Sequence, residues 1–123
     1  SDLAERDAFL KEFERESGVK KLDILRADAL YHKALEIYKD DDQENIDKAK
    51  EMFLQAANLG NTPSCFIVAD IEAPGIAMLK KQEGEFNSAK VARYLKLAAF
   101  RDSDPRALRL VSYFFFACIS IFF

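Results

Sequence analysis

The fold of this chain is decided by residues 31–63, which read YHKALEIYKDDDQENIDKAKEMFLQAANLGNTP. On both sides of the acidic run at 40–42, apolar residues recur at the three-to-four-residue spacing of an amphipathic helix. Gly60 follows the second run at a position where glycine commonly ends a helix, and Pro63 suits the first turn of another. The stretch therefore predicts a pair of helices joined by a short acidic loop, with a third helix after them.

The start signals of these helices recur further along the chain. Thr62-Pro63 and Asp104-Pro105 each place an N-cap residue before a proline, and they lie 42 residues apart. The same offset relates the candidate caps Asn45 and Asn87, the doublets Ala56-Ala57 and Ala98-Ala99, and Phe53 and Leu95. Several coincidences at one offset indicate an internal repeat. The unit is a helix pair, with first helices predicted at 21–38, 63–80 and 105–122 and second helices at 45–59 and 87–101. We expect Phe53 and Tyr38 to be buried between the two helices of the first pair.

The predicted fold class is all-α: an α-α superhelix (solenoid) of antiparallel helix pairs, about two and a half repeats plus an N-terminal helix. We divide the chain into an N-terminal helix at 1–17, capped by Asp2, and a helical repeat domain at 21–123. Three prolines and four glycines are too few for the many turns of a β-sandwich. Pro74-Gly75 lies inside the predicted helix at 63–80, where it predicts a bend or a break.

The first helix pair resembles a known repeat family. The pattern Tyr31-x-x-Ala34-Leu35-x-x-Tyr38, followed by Ala49-x-x-x-Phe53 and Pro63, is similar to the tetratricopeptide repeat. Asp47-Lys48-Ala49 and the ending Ala56-Ala57-Asn58-Leu59-Gly60 resemble its Sel-like subfamily most. The resemblance runs from Leu22 to Phe123. Members of the family are scaffolds and adaptors of protein complexes, so the resemblance implies a protein-binding role.

The later units follow this pattern unequally. The second is degenerate, with Ala73, Ile76-Ala77 and Lys80 at the equivalent positions. The third half-unit, Phe115-x-x-Cys118-Ile119-x-x-Phe122, lies at twice the 42-residue offset from the first and keeps its frame. A repeat of this length also falls in the range of HEAT and armadillo arrays, but the aromatic and alanine pattern favours the tetratricopeptide side.

Composition and charge narrow the class of partner. The formal net charge is −3 and the pI about 5.2, so we expect no nucleic-acid partner, because domains that bind nucleic acid carry a basic face. Cys65 and Cys118 make no disulfide framework, which favours an intracellular, reducing compartment, either the cytoplasm or an organelle interior. The first residue is Ser1, so we expect either a protein processed by removal of a segment such as a transit peptide, or a piece of a longer chain.

Candidate catalytic and metal-binding residues are few. His32 is the single histidine, and no recognisable motif places a nucleophile beside it. A calcium loop is suggested by the spacing of four acids, Asp40, Asp42, Glu44 and Glu51. Asn45 stands where such a loop requires glycine, which favours a solvated acidic loop instead. Cys65, in a first helical turn, is either a thiolate favoured by the helix dipole or, more commonly, a buried core residue. We therefore expect no enzymatic activity, cofactor, metal or small-molecule substrate.

The C-terminal stretch from Leu110 to Phe123 contains no charged residue. A helix of this length spans about 21 Å, which is shorter than the hydrocarbon core of a bilayer at about 30 Å. In the repeat frame it is the first helix of a pair whose second helix is missing, so it predicts an interface. The predicted partner contacts in it are Tyr113, Phe115, Phe116, Phe122 and Phe123.

The sequence supports two functional hypotheses. The first is a protein–protein interaction module, a scaffold or accessory subunit of a larger assembly whose partners are other protein subunits. The alternative is a peripheral membrane-associated subunit of a membrane protein complex, held by its Phe-rich C-terminal helix with membrane contact through 110–123. In tetratricopeptide relatives a groove lined by first helices holds the ligand, and this resemblance makes Arg26, His32 and Lys33 candidate partner contacts.

Overall fold

The computed structural model describes residues 2–39 and 41–122, and the side chains of 3–39 and 41–113. Within these ranges the chain is all-helical and has no strand, which confirms the predicted all-α class. The α-helices are α1 (Asp2–Ser17), α2 (Ile24–Tyr38), α3 (Gln43–Leu59), α4 (Thr62–Glu72), α5 (Ser88–Lys96) and α6 (Pro105–Phe122). A 3₁₀ turn at Ile76–Met78 follows α4, and a π-helical turn at Leu97–Arg101 extends α5.

Two of the predicted N-caps and the predicted C-cap Gly60 are confirmed. The Asn87 side chain accepts a hydrogen bond from the Lys90 N–H at the start of α5. The Asp104 carboxylate accepts from the Arg106 N–H at the start of α6. Gly60 ends α3 with a φ of +130°, and its N–H donates to the carbonyls of Ala56 and Ala57, as predicted for a C-cap glycine.

Two other predicted caps are wrong. Asp42, not Asn45, caps α3 by accepting from the Glu44 N–H, and a carboxylate is favoured there by the positive end of the helix dipole. Asn61, not Thr62, caps α4 by accepting from the Ser64 N–H. The helix starts therefore do not keep the 42-residue offset. The side chain of Asp2, the predicted cap of α1, lies outside the described residues.

The bend or break predicted at Pro74-Gly75 is confirmed as a break, and the helix predicted at 63–80 is correct only as far as Glu72. The helix α4 ends at Glu72, and Gly75 adopts a φ of +89°. The Asp70 carboxylate then accepts hydrogen bonds from the N–H groups of Gly75 and Ala77 at 3.0 and 3.3 Å. These bonds fold the chain back against α4 instead of letting the helix continue.

The helices α2 and α3 form an antiparallel pair. The Asp23 N–H, just before α2, donates to the Leu59 carbonyl at the end of α3. Phe53 is buried as predicted, at 1% exposure. Tyr38, which we predicted to be buried, is instead 44% exposed, because it is the last residue of α2. Its ring contacts that of Phe53 on one side, at 6.0 Å between ring centroids.

The helices α4 and α5 are antiparallel in the same way. The Asn87 N–H at the start of α5 donates to the Glu72 carboxylate at the end of α4. At the other end, the Thr62 hydroxyl donates to the carboxylate of Asp102, which follows the π turn. The doublets Ala56-Ala57 and Ala98-Ala99 are all buried, so the core keeps the 42-residue spacing that the helix starts lose.

The helix α1 lies along α5 in the opposite direction. Near its start, Arg6 Nε donates to the Phe100 carbonyl at 2.7 Å, and near its end Glu16 pairs with Arg93. Phe13 is buried between these contacts, with its ring edge-on to Tyr94 at 6.4 Å. This helix therefore shares the main hydrophobic core with the helices of the predicted repeat domain.

Candidate interaction surfaces

An open groove of about 530 Å³ lies between α2 and α4. Its lining is mainly apolar and comes from α2, α3 and α4: Leu35, Phe53, Phe66, Ile67 and Ile71. Ile67 and Ile71 lie four positions apart and therefore share one face of α4. Leu35 on α2 points into the same space. The groove is thus formed by the first helices of the first two predicted pairs.

One end of the groove is closed by the segment after the helix break. Gly75, Ala77, Met78 and Lys80 line it there, held in place by the two hydrogen bonds to Asp70. Tyr38 and Met78 lie at this end and are exposed to solvent, at 44% and 75% exposure. An apolar cleft with exposed apolar side chains at its rim can take up the apolar face of a peptide or helix.

Arg26, His32 and Lys33 do not line this groove. All three are exposed on α2, and the His32 ring lies 5.2 Å from that of Tyr31. Their role as partner contacts stays a prediction. The lining residues Leu35, Ile67 and Met78 were missed by sequence reasoning, although the helical spacing of Leu35 and Tyr38 would have placed both on one face of α2.

A second groove, of about 840 Å³, runs along the seam between α1, α3 and α5. Its charged side chains are engaged with one another. Arg93 pairs with Glu16 and lies over the Phe13 ring at 4.8 Å. The pKa of Glu12 is lowered to about 2 by its hydrogen bond from Arg15. The contacts of Arg93 fasten α1 to α5, whereas the pair of Glu12 and Arg15 lies within α1.

The first turns of α6 divide into a buried and an exposed side. Ala107 and Leu110 are buried, whereas Leu108 and Tyr113 are exposed. The side chains of Phe115, Phe116, Phe122 and Phe123, the other predicted contacts, lie outside the described residues. In the part of the chain that the structure describes, no helix combines the length and the apolar character needed to cross a membrane.

A polar network joins the ends of α3 and α5 to the start of α4. The Arg101 guanidinium donates to the carbonyls of Ala57 and Asn58 at 2.7 and 3.0 Å and pairs with Asp102. Among the described residues, every buried side-chain nitrogen and oxygen has a hydrogen-bond partner. The network therefore ties these helix ends together.

Cys65 lies beside this network as a core residue. Burial raises the pKa of its thiol to about 12, and the nearby Arg101 only partly opposes this. The thiol is thus protonated at neutral pH. Of the two alternatives that the sequence left open, Cys65 is therefore the buried core residue and not the thiolate. In the acidic loop, Asp42 is engaged as a helix cap, and Asp40 lies outside the described residues.

Comparisons with protein-family models, with curated proteins and with solved structures found no match to this chain.

Proposed function

We propose that this chain is a protein-interaction module, a scaffold or accessory subunit built as an α-solenoid of tetratricopeptide-like helix pairs. It binds an apolar segment of a partner protein in the groove between α2 and α4. The observation that carries the proposal is the apolar lining of this groove together with the exposure of Tyr38 and Met78 at its rim. Large exposed apolar side chains beside a cleft are a feature of protein-binding surfaces.

The partner segment that we propose for the groove is an amphipathic helix or an extended apolar peptide. The groove is open along its length and has aliphatic walls from Leu35, Ile67 and Ile71, which suit side chains spaced along one face of a helix. We infer no catalysis, since the Cys65 thiol is protonated and the polar groups around it are engaged. Binding then depends on apolar burial, with specificity from charges at the rim.

The test is peptide selection on the folded protein, using a displayed library of amphipathic helices. Selected peptides should bind the wild type and lose about tenfold or more in affinity with Tyr38→Glu or Met78→Glu, because each places a charge against an apolar ligand face. Leu3→Glu is the matched control, since Leu3 is an exposed apolar residue on α1, at 69% exposure, outside the groove. Peptides that bind all three variants alike would remove the groove from consideration.

A second candidate function is the peripheral membrane-associated subunit. It is supported by the exposed Leu108 and Tyr113 on α6, followed in sequence by the uncharged stretch 110–123. Flotation with liposomes, with and without residues 110–123, separates the two functions. Flotation that depends on this stretch, with no peptide bound by the groove, would favour the membrane.

A further inference from the structure

Exposed large apolar side chains cluster at the two opposite ends of α2. At its start, Leu22, Ile24 and Leu25 are all exposed, and Leu25 reaches 85%. At its end, Tyr38 and Met78 are exposed and line the same groove, and Leu79, the next residue after Met78, is exposed as well. Leu25 and Tyr38 are separated by about 20 Å along the helix, from a rise of ~1.5 Å per residue. The two clusters are therefore too far apart to cover each other within one chain.

The two clusters carry opposite charge. Residues 20–26, which we call the basic tip, contain Lys20, Lys21 and Arg26, all exposed, against a single acid, Asp23. The Asp23 carboxylate is used locally, since it accepts from the Arg26 N–H as the cap of α2. The tip is thus an exposed surface with apolar and positively charged side chains, on a chain whose net charge is −3.

The opposite end is acidic, and we call it the acidic end: residues 38–44 with Met78 and Leu79. The sequence from 39 to 44 holds four acids against one lysine, and the neighbouring stretch 80–85 has two lysines and two glutamates. Asp41, Asp42 and Glu44 are exposed there, with Asp42 engaged as the cap of α3, and Asp40 lies outside the described residues. Charge and apolar surface at this end therefore complement those of the basic tip.

We propose that the basic tip of one copy of this chain docks on the acidic end of a second copy. This inference rests on the proposed function, because Tyr38 and Met78 form the rim of the groove that receives the tip. A single contact between copies covers both exposed apolar clusters and pairs their charges. An anionic lipid surface would cover only the tip and would leave Met78 and Leu79 in water.

The contact is head-to-tail, because different surfaces of the two copies meet. Such contacts extend into chains or rings rather than stopping at a symmetric dimer. The apolar area is small, at three large side chains on each side, so the association belongs to the weak class with a Kd of about micromolar or above. Association should weaken with added salt, since the charged residues are exposed.

The test uses two variants of the full chain, Leu25→Asp and Met78→Asp, in sedimentation velocity from about 5 to 500 µM, a range that spans weak Kd values. Both residues are exposed, so the fold should survive, as far-UV circular dichroism and melting will check. The wild type should form species larger than a dimer as concentration rises. Each variant alone should associate about tenfold or more weakly, because a charge now faces the apolar partner surface. Leu3→Asp, on α1, should behave as the wild type.

Mixing the two variants is the decisive step. Each retains the surface that the other lacks, so the mixture should give a one-to-one pair that grows no further. A mixture that stays monomeric, or association that neither variant changes, would overturn the head-to-tail contact. A monomeric wild type whose binding to phosphatidylserine vesicles is abolished by Leu25→Asp would assign the tip to lipid instead. If Leu25→Asp still binds groove peptides but self-association is unaffected, the groove function stands and only the choice of a second copy fails.

Discussion

Phe53 and Tyr38 lie in ring contact at the centre and the edge of the same cluster. Phe53→Ala should lower the free energy of unfolding by about 3–5 kcal/mol, the usual range for a fully buried aromatic. Tyr38→Ala should lower it by only about 1 kcal/mol, because nearly half of its side chain already faces water. Urea denaturation of the two variants measures both values. Equal losses would show that Tyr38 is as well buried in solution as Phe53.

The buried thiol of Cys65 should make stability depend on pH in the alkaline range. Its pKa is about 12 in the folded chain against an ordinary value of 9.0, so the folded state favours the protonated form. The contribution is fully present below pH 9 and is lost as pH rises toward 12, at about 1.4 kcal/mol per pH unit. Burial raises the pKa of Tyr94 as well, with the same sign, so the measurement must isolate the thiol.

The comparison that isolates it is Cys65→Ala against the parent, both in a Cys118→Ala background. The free energy of unfolding from urea titrations between pH 8 and pH 10.5 should fall less steeply for Cys65→Ala. Identical slopes would mean that the thiol is not shielded from water in the native state.

At the scale of the elements, the Asp70 side chain holds the segment after α4 that closes one end of the groove. Asp70→Ala removes the acceptor for the N–H groups of Gly75 and Ala77. Their hydrogen exchange should accelerate about tenfold, which corresponds to the net free energy of one lost hydrogen bond. Glu72→Ala is the matched control, because Glu72 accepts from Asn87 instead. Protected amides at 75 and 77 in Asp70→Ala would show that this segment is held by packing alone.

The elements also show why some local features could be predicted and others could not. The break after α4 follows from Pro74-Gly75 alone, since proline and glycine act through their own backbone. The choice of Asn61 over Thr62 as the cap of α4 depends on a distant partner, because the Asn61 amide donates to Asp28 on α2. Asn and Thr are both good caps, so the local sequence contains no signal that separates them.

On the scale of the whole molecule, the helical class and the order of the helices could be predicted, and the position of α1 could not. Periodicity and caps are local, and they placed the helices to within a few residues, except for the end of α4, which lies at Glu72 instead of residue 80. The docking of α1 depends on contacts such as Arg6 with Phe100, between residues 94 positions apart. The lining residues of the groove between α2 and α4 are set by how these two helices face each other, which periodicity leaves open.

The docking of α1 against α5 has a consequence for synthesis. Ribosomes make α1 before α5, and the surface that α1 covers is complete only when the chain has been extended to Arg101. At roughly 5–20 residues per second, this delay lasts several seconds. Throughout that interval Phe9 and Phe13 can contact each other but not Phe100 and Tyr94, which they meet in the folded chain. The nascent chain therefore presents a short aromatic segment to chaperones until α5 and the turn after it have been made.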